Sequence, residues 1–343
     1  MRLTVALLRI WSWVKSTVGL TICLTIAAGL CATLDRGPFI LVNTIVIGGM
    51  LTLVATGLAL VFGVMNLPMF AHGEYFMIGT LVAYYVFTPM NKYITQNPGS
   101  VLATVGPLVT IVSAMLAGAM MGVLTEKLVF SKLRKRSREN WVMNSFLLTV
   151  GISVVLINSH QLIFTANLKG IVRYWAGMPL SFMGVFISRD RIMAFSISVL
   201  IFAIFWLFLT LTRTGRAIRA VSQDEIGALT MGIDINGIFI LTMSLSCALS
   251  ALAGGSLLFM YPSYPTVGLE PLYMAWFVVI LAGLGDVLGA AIGAFIVALL
   301  KTLTVEYVGV GWDSVILTGL IMVILIFRPR GIFGSEVRGI WEN

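Results

Sequence analysis

The sequence predicts an all-α integral membrane protein, a bundle of about ten spans with broken or re-entrant helices, built as one membrane-embedded domain over residues 1–343. Hydrophobic residues make up 59% of the chain and charged residues only 10%, whereas soluble domains are about 45–50% apolar and about 25% charged. Uncharged runs long enough to cross a bilayer core of about 30 Å also recur along the chain. These observations exclude an ordinary soluble enzyme, a disordered chain and a nucleic-acid-binding module.

The uncharged runs place the elements in order. Spans are expected at residues 16–34, 75–90, 101–125, 141–165, 192–212, 235–261 and 313–327. Residues 37–71 are too long a run for one helix, and Gly57, Gly63 and Pro68 are expected to break its second half. Glycines in the middle of residues 271–300 predict two short helices that meet at a loop.

The basic residues predict the orientation. With the N-terminus inside, fifteen Lys and Arg residues fall in cytoplasmic segments and seven outside, and cytoplasmic loops carry such an excess. We therefore expect a multi-pass protein of the cytoplasmic (inner) membrane with both termini in the cytoplasm. This bias accounts for the net charge of +8, so nucleic acid is not an expected partner. Residues 16–34 are longer than a usual signal-peptide core and are interpreted as an uncleaved first helix.

Motifs that would carry catalysis are missing from the sequence. It contains no phosphate-binding loop, no H-E-x-x-H zinc motif and no nucleophile elbow. Cys23, Cys31 and Cys247 lie in apolar runs without the spacing of a disulfide framework or a metal site. His160, near the outer end of a span, is expected to be a hydrogen-bonded structural residue. The sequence thus predicts a conduit with no metal site, whose energy source lies elsewhere.

The segment after the sixth span, residues 213–234, is the most informative loop. Ser222 and Glu225 have the spacing of a capping box, and Gly232 suits the left-handed position that ends a helix. A short helix at about residues 223–231 is therefore expected on the cytoplasmic face. Its apolar side chains would be exposed: Ile226, Leu229 and Met231. The helix is either a structured loop in the headgroup region or the docking element for a cytoplasmic motor domain.

A second group of candidate residues lies at the expected helix breaks. Unwound backbone is tolerated at membrane depth only where protein or a water-filled cavity covers it, and such breaks form binding sites in some transporters. His72 and Glu74 either hold the shape of their break by hydrogen bonds, contact substrate, or contact another subunit. The expected pathway and helix-break residues are Gly63, Asn66, His72, Gly73, Glu74, Gly283, Gly285, Asp286 and Gly289.

Four blocks of sequence occur in a characteristic order. They are Gly57-Leu58-x-Leu60-Val61-Phe62-Gly63 with Ala71-His72-Gly73-Glu74; Gly215-Arg216-Ala217-x-Arg219-Ala220 with Ala228-x-x-x-Gly232-Ile233; Gly283-Leu284-Gly285-x-x-x-Gly289-Ala290; and Arg328-Pro329-x-Gly331-Ile332-Phe333-Gly334. Together they resemble the permeases of ABC transporters of the branched-chain amino acid (LivH-like) type. The resemblance covers about residues 40–335, and residues 16–34 look like an added element. The chain departs from the family at Met69, where Asn is usual, and at Asp286 and Leu288, where a small residue and Pro are usual.

The resemblance implies a permease subunit of an ATP-driven importer for branched-chain or other neutral amino acids. Two cytoplasmic ABC ATPase subunits would hold ATP and Mg²⁺, and the helix after Ser222 would couple to them. The resemblance also implies a second permease subunit, identical or homologous, and an extracytoplasmic substrate-binding protein. The coupling residues would be Gly215, Arg216, Arg219, Ser222, Glu225, Ile226, Ala228, Leu229 and Gly232.

Two alternative functions remain open at this point. The same machinery could import urea or short-chain amides, or the chain could be a stand-alone ion-coupled carrier or membrane enzyme, which would need a buried acid–base pair in mid-span. Glycines repeated every four residues permit close approach of helices, either within this chain or with a second permease. These glycines are Gly118 and Gly122, and Gly285, Gly289 and Gly293.

Overall fold

The computed structural model describes residues 17–97, 100–136, 141–175, 177–182, 185–328 and 331–332. Six of the basic residues used for the orientation lie outside these ranges: Arg2, Arg9, Lys15, Arg138, Arg330 and Arg338. Pro329, Phe333 and Gly334 of the C-terminal block also lie outside them.

Helices dominate the described chain. The first half contains α1 (Thr17–Arg36), α2 (Phe39–Met65), α3 (His72–Gln96), α4 (Val101–Thr125), a π-helical turn (Glu126–Phe130), α5 (Ser131–Arg136) and α6 (Trp141–Phe164). The second half contains the strands β1 (Leu180–Phe182) and β2 (Val185–Ile187), then α7 (Arg189–Leu211), α8 (Arg213–Gln223), α9 (Glu225–Thr230), α10 (Ile235–Ser256), α11 (Leu269–Ala282), α12 (Val287–Tyr307) and α13 (Asp313–Phe327). The predicted all-α class is confirmed.

Six helices of the described ranges are long and apolar enough to cross a membrane: α2, α4 with its continuation to Arg136, α6, α7, α10 and α12. Helices α11 and α13 are also apolar but shorter. At about 1.5 Å per residue, the 27 residues of α2 exceed the bilayer core of about 30 Å. These helices make the chain an integral membrane protein, and the count of about ten spans stays a prediction.

The core of the bundle is built around α2 and α10. In the most apolar stretch of each helix, 83% of the residues are buried in α2, 72% in α10 and only 11% in α6. Helix α2 packs against α10, α11 and α12, and α10 packs against α3 and α4. A Cβ atom on Gly122 would lie 2.7 Å from the Met243 carbonyl oxygen of α10. The glycine spacing in α4 therefore serves packing within the chain.

The expected break at Gly57 and Gly63 is wrong, because α2 runs through both glycines without interruption. Each glycine instead lets a neighbouring backbone approach α2. A Cβ atom on Gly57 would lie 2.9 Å from the Ser246 carbonyl oxygen, and one on Gly63 would lie 2.9 Å from Gly285 Cα. The break comes after Met65, over residues 66–71, which include Pro68.

The loop between α6 and α7 carries a small antiparallel hairpin in which Ser181 pairs with Phe186. Asp190, in the first turn of α7, anchors this loop because its Oδ1 accepts hydrogen bonds from the backbone N–H groups of Tyr174 (2.9 Å) and Trp175 (3.0 Å). The Tyr174 hydroxyl donates to the Gly255 carbonyl of α10 at 2.6 Å. The loop is thereby held to the bundle at two points.

The expectation of a hydrogen-bonded His160 is wrong for the described part of the chain. Its ring is buried, and neither ring nitrogen has a partner there. The ring lies edge-on to Phe164, with 5.8 Å between centroids. Aromatic packing therefore holds this side chain. The sequence does not reveal such packing, because it shows only a single histidine in an apolar helix.

Candidate functional site

The first helix break separates α2 from α3. Asn66 adopts a left-handed conformation with φ of +49°, which Asn tolerates better than most residues, and its N–H donates to the Phe62 carbonyl at 2.9 Å. The Pro68 carbonyl accepts a hydrogen bond from the Thr149 hydroxyl of α6 at 3.3 Å. The unwound segment is thus partly covered by protein, since Leu67, Met69 and Ala71 are buried while Asn66 is exposed.

His72, the first residue of α3, is fully buried between α2 and α10. Its Nε2 lies 3.0 Å from the Val54 carbonyl oxygen; because a carbonyl only accepts, Nε2 carries the proton and donates. The Ser250 hydroxyl donates to the His72 carbonyl at 3.1 Å. The contacts favour the first of the three interpretations of His72, in which it holds the shape of the break.

Replacing His72 with Gln should leave transport and its pH dependence unchanged. The Gln side chain keeps an N–H that can donate to the Val54 carbonyl, whereas His72→Ala removes this link between α3 and α2, at a cost of about 0.5–1.5 kcal/mol for the lost hydrogen bond. The measurement is uptake across about pH 5 to 8, the range in which an ordinary histidine titrates. Loss of uptake by His72→Gln at normal protein abundance would show that His72 takes part in transport itself.

Glu74 and Gly73 complete the start of α3. The Glu74 side chain is buried and its Oε1 accepts a hydrogen bond from the Ser153 hydroxyl of α6. Its Oε2 has no hydrogen-bond partner among the described residues. Gly73 touches Gly268, and a Cβ atom on Gly73 would lie 2.9 Å from the Gly268 carbonyl carbon. Glu74 joins α3 to α6, and Gly73 permits the approach of the turn that precedes α11.

The second break, residues 283–286, joins α11 to α12, as the sequence predicts, although α12 has 21 residues and is not short. Gly283 and Gly285 have φ values of +111° and +90°, which glycine adopts without penalty. Asp286 caps α12, because its Oδ1 accepts from the N–H groups of Leu288 and Gly289 at 3.0 Å each. The departure from the family at Asp286 therefore supplies a helix cap.

The last turns of α2 meet the second break at one junction. Gly63 lies against Gly285. A Cβ atom on Gly63 would lie 2.9 Å from Gly285 Cα, and one on Gly285 would lie 2.8 Å from Gly63 Cα. The C-terminal segment reaches the same place, since the Ile332 N–H donates to the Leu281 carbonyl at 2.8 Å and a Cβ atom on Gly331 would lie 2.7 Å from the Gly283 nitrogen. Three of the four sequence blocks thus contribute backbone to a single contact region.

An aromatic cleft with a volume of about 460 Å³ opens between the two breaks. Phe62 and Phe70 flank the first break, and Tyr273, Trp276 and Phe277 come from α11. The Phe70 ring stacks on Trp276 with 5.2 Å between centroids. Sequence reasoning missed this cleft; the signal was the aromatic residues around the first break and in the segment before the second.

The helix pair formed by α8 and α9 lies between the apolar helices α7 and α10. Thr212 caps α8 by accepting from the Gly215 N–H at 2.9 Å, and Gly215 is buried against the end of α7. Ile218 and Val221 are buried on the inner face of α8. Arg216 is exposed, and the exposed Arg219 donates to the Thr210 carbonyl at 3.2 Å. The inner face therefore holds α8 against the bundle.

The predicted capping box is wrong, because the chain between Ser222 and Met231 is not one helix. Ser222 lies inside α8, where its hydroxyl donates to the Arg219 carbonyl at 2.8 Å. Asp224 caps α9 instead, since its Oδ1 accepts from the Gly227 N–H at 3.0 Å. The predicted role of Gly232 is confirmed by its φ of +81° and by the bond from the Ile233 N–H to the Ala228 carbonyl.

Asp224→Ala should loosen α9, whereas Ser222→Ala should leave it nearly unchanged. Loss of the Asp224 cap costs about 1 kcal/mol, while the Ser222 hydroxyl only bonds back to its own helix. Hydrogen exchange of the amides of residues 225–231 in lipid nanodiscs measures the difference. Faster exchange in Ser222→Ala than in Asp224→Ala would restore Ser222 as the cap.

Exposed apolar side chains cover the outer side of α9 and the turn after it. Ile226 is 76% exposed, Leu229 62% and Met231 85%, while Ala228 is buried. Glu225 and Gly232 are exposed at either end. We call Ile226, Leu229 and Met231 the apolar trio. Within the described ranges, no group of three His, Cys, Asp or Glu side chains could hold a metal ion.

The permease component of the branched-chain amino acid transport system is the family whose model matches residues 40–326. The chain belongs to this family. The matched range begins after α1 and contains both helix breaks, the aromatic cleft and the α8–α9 pair.

Three relatives illustrate how far the permease family likeness extends. The high-affinity branched-chain amino acid transport permease BraD of Pseudomonas aeruginosa is 29% identical over 300 residues, covering 86% of this chain and 94% of the relative. LivH of Escherichia coli, which has the same description, is 24% identical, and the match covers 85% of this chain and 94% of the relative. A probable branched-chain amino acid transport permease, LivM of Methanocaldococcus jannaschii, is 25% identical, and the match covers 87% of this chain and 84% of the relative. No solved structure matches the chain.

Proposed function

We propose that this chain is a permease subunit of an ATP-driven importer of branched-chain amino acids, and that separate subunits hydrolyse the ATP. Its membrane helices and its membership of the permease family support a transport role. Relatives described as branched-chain amino acid permeases cover most of the chain, and this favours amino acids over urea or short-chain amides as cargo.

The observation that carries the ATP-driven mechanism is the exposed apolar trio. Large apolar side chains grouped on the outside of a short, capped helix mark an interaction surface. The α8–α9 pair is not part of any apolar span, so a position across the bilayer core does not account for the exposure. A neighbouring protein that receives these side chains would push or pull α8, which packs against α2, α7 and α10.

The distribution of basic residues supports a cytoplasmic position for this helix pair. Arg213, Arg216 and Arg219 lie on α8, and a basic excess favours the cytoplasmic side. The same orientation puts both termini in the cytoplasm and the hairpin loop between α6 and α7 outside. The pair is then on the side where ATP is available.

The partners follow from this arrangement. Two cytoplasmic ABC ATPases would bind ATP and Mg²⁺ and receive the apolar trio, and a second permease subunit would complete the membrane part. A substrate-binding protein would deliver the amino acid from outside. In this proposal the chain is not an enzyme, because its own residues supply the pathway and the docking surface only.

The test is reconstitution of the assembled transporter in proteoliposomes with its binding protein. We expect uptake of labelled leucine that requires ATP and exceeds uptake of urea and acetamide. Leucine uptake driven by a proton gradient in the absence of ATP would contradict the mechanism. Preference for urea or acetamide would contradict the substrate.

A further inference from the structure

Helix α4, the π-helical turn and α5 form one continuous helix that is longer than a membrane span needs to be. It runs over 36 residues from Val101 to Arg136, which is about 54 Å at about 1.5 Å per residue. A bilayer core is about 30 Å thick, and about 40–45 Å with its headgroup regions. One end of this helix therefore extends beyond the apolar core, and the basic C-terminal end is the one that headgroups and water favour.

This end of the helix carries a group of exposed basic side chains, which we call the basic end. They are Lys127, Lys132, Lys135 and Arg136. None of them forms an ion pair with a residue that the structure describes. The acidic residue of the same segment, Glu126, is buried and pairs with Arg134. The positive charge of the basic end is therefore left for a partner outside the described chain.

Arg134 fixes the direction in which the basic end faces. Its Nη2 donates to Glu126 Oε1. Its guanidinium carbon also lies 4.4 Å from the ring centroid of Phe239 in α10 and 5.1 Å from that of Trp141 in α6, and aromatic faces attract a cation at such distances. These contacts tie the inner side of the helix to the bundle, so its outer side faces away from the protein.

An apolar stripe leads along the outer side of the helix to the basic end. Met120 is 61% exposed, Leu124 41% and Leu128 56%, and the exposed Lys132 and Arg136 follow at the same spacing of four residues. Residues four apart are neighbours on a helix surface. One face thus presents large apolar side chains and then cations, which matches the order of acyl chain and phosphate in a phospholipid. An acidic protein surface would match the cations only.

We propose that the basic end binds the phosphate groups of anionic phospholipids, whose acyl chains lie along Met120, Leu124 and Leu128. Anionic lipids attract basic segments that adjoin a membrane helix, and each Lys or Arg near the surface strengthens the attraction about fivefold. This surface goes beyond the proposed function, because it depends neither on the solute nor on the source of energy. An acidic surface of the ATPase is the competing partner, and the experiment distinguishes the two.

The experiment is photocrosslinking of the assembled transporter in nanodiscs that contain equal amounts of phosphatidylglycerol and phosphatidylcholine. A photoreactive amino acid replaces Leu128. In a second protein it replaces Leu116, which is 59% exposed on the same helix but about three turns deeper in the apolar span. Mass spectrometry measures the adducts of each lipid. Phosphatidylglycerol adducts should exceed phosphatidylcholine adducts about fivefold or more at position 128, and the two should be equal at position 116.

Lys132→Gln combined with Arg136→Gln should bring the adduct ratio at position 128 close to one, because Gln keeps a good helix former and removes the charge. Lys92→Gln combined with Arg173→Gln is the matched control, since it removes two positive charges from exposed residues elsewhere, and it should leave the ratio unchanged. Equal adducts of the two lipids at position 128 overturn the proposal, as does a ratio that Lys132→Gln with Arg136→Gln leaves unchanged or that the control pair lowers equally. Adducts with the ATPase in place of lipid also overturn it.

Discussion

Replacing Ile226 and Leu229 with Asp is expected to separate the permease from its ATPase and to abolish uptake. The two side chains are 76% and 62% exposed on α9, where they are expected to enter an apolar pocket of the partner. Burying an unpaired charge at such a surface costs about 3–5 kcal/mol, which weakens docking by roughly two to three and a half orders of magnitude at about 1.4 kcal/mol per tenfold. Co-purification of the ATPase and leucine uptake are the measurements.

The variant should still enter the membrane at normal abundance, because α9 lies outside the apolar helices. Val172→Asp with Val310→Asp is the control pair, since these residues are 95% and 87% exposed in loops on the opposite side of the proposed topology. The control should keep ATPase binding and uptake. Normal ATPase recruitment and transport by the double Asp variant of α9 would show that α9 is not the coupling element.

Gly73→Leu is expected to prevent stable assembly of the bundle. A Cβ atom at position 73 would overlap the Gly268 carbonyl oxygen and lie 3.0 Å from Leu272 Cβ. Overpacking a core side chain commonly costs about 1–3 kcal/mol; here the obstacle is backbone, which moves less readily, so we expect about 3 kcal/mol or more. The measurement is the yield of monodisperse protein and its thermal transition in detergent.

Gly151→Leu provides the matched control for this substitution. Gly151 lies inside α6, and a Cβ atom there would meet nothing within 4 Å. The added side chain faces open space, and glycine is less favourable in a helix than alanine by about 0.8–1 kcal/mol, with leucine ranking close to alanine. Gly151→Leu should therefore fold normally. A Gly73→Leu protein as stable as Gly151→Leu would mean that the contact between Gly73 and Gly268 does not hold α3 in place.

The apolar helices were predictable wherever their ends carry a clear signal. Helix α13 has the predicted bounds, Asp313–Phe327, because an acidic residue and Arg328 flank one uncharged run. The break at residues 283–286 was also predictable, since two glycines and an aspartate interrupt an apolar stretch. Hydrophobicity reports removal from water, into lipid or into the core of the bundle, and it therefore locates spans well.

Close contacts between helices were not predictable from the same pattern. Gly57 and Gly63 suggest breaks because glycine destabilises an isolated helix, but in α2 the packing of Ser246 and Gly285 against them outweighs that cost. The cap of α9 was misplaced by two residues because Ser222 and Asp224 both have capping side chains. The structure decides between them: α8 continues to Gln223, so Ser222 lies inside α8 and Asp224 is left to cap α9.

The aromatic cleft illustrates what sequence reading cannot supply. Phe62, Phe70 and Trp276 belong to different segments, and each reads alone as an ordinary lipid-facing or core residue. Their contacts depend on how α11 lies against the first break.

Photocrosslinking from position 229 tests the central claim most directly, namely that a separate ATPase drives this permease through α9. A photoreactive amino acid replaces Leu229 in the assembled transporter, and a second protein carries it at Val310 as the control. We predict a covalent adduct with the ATPase from position 229 and none from position 310. An active transporter in which position 229 forms adducts with lipid and none with the ATPase would contradict the account.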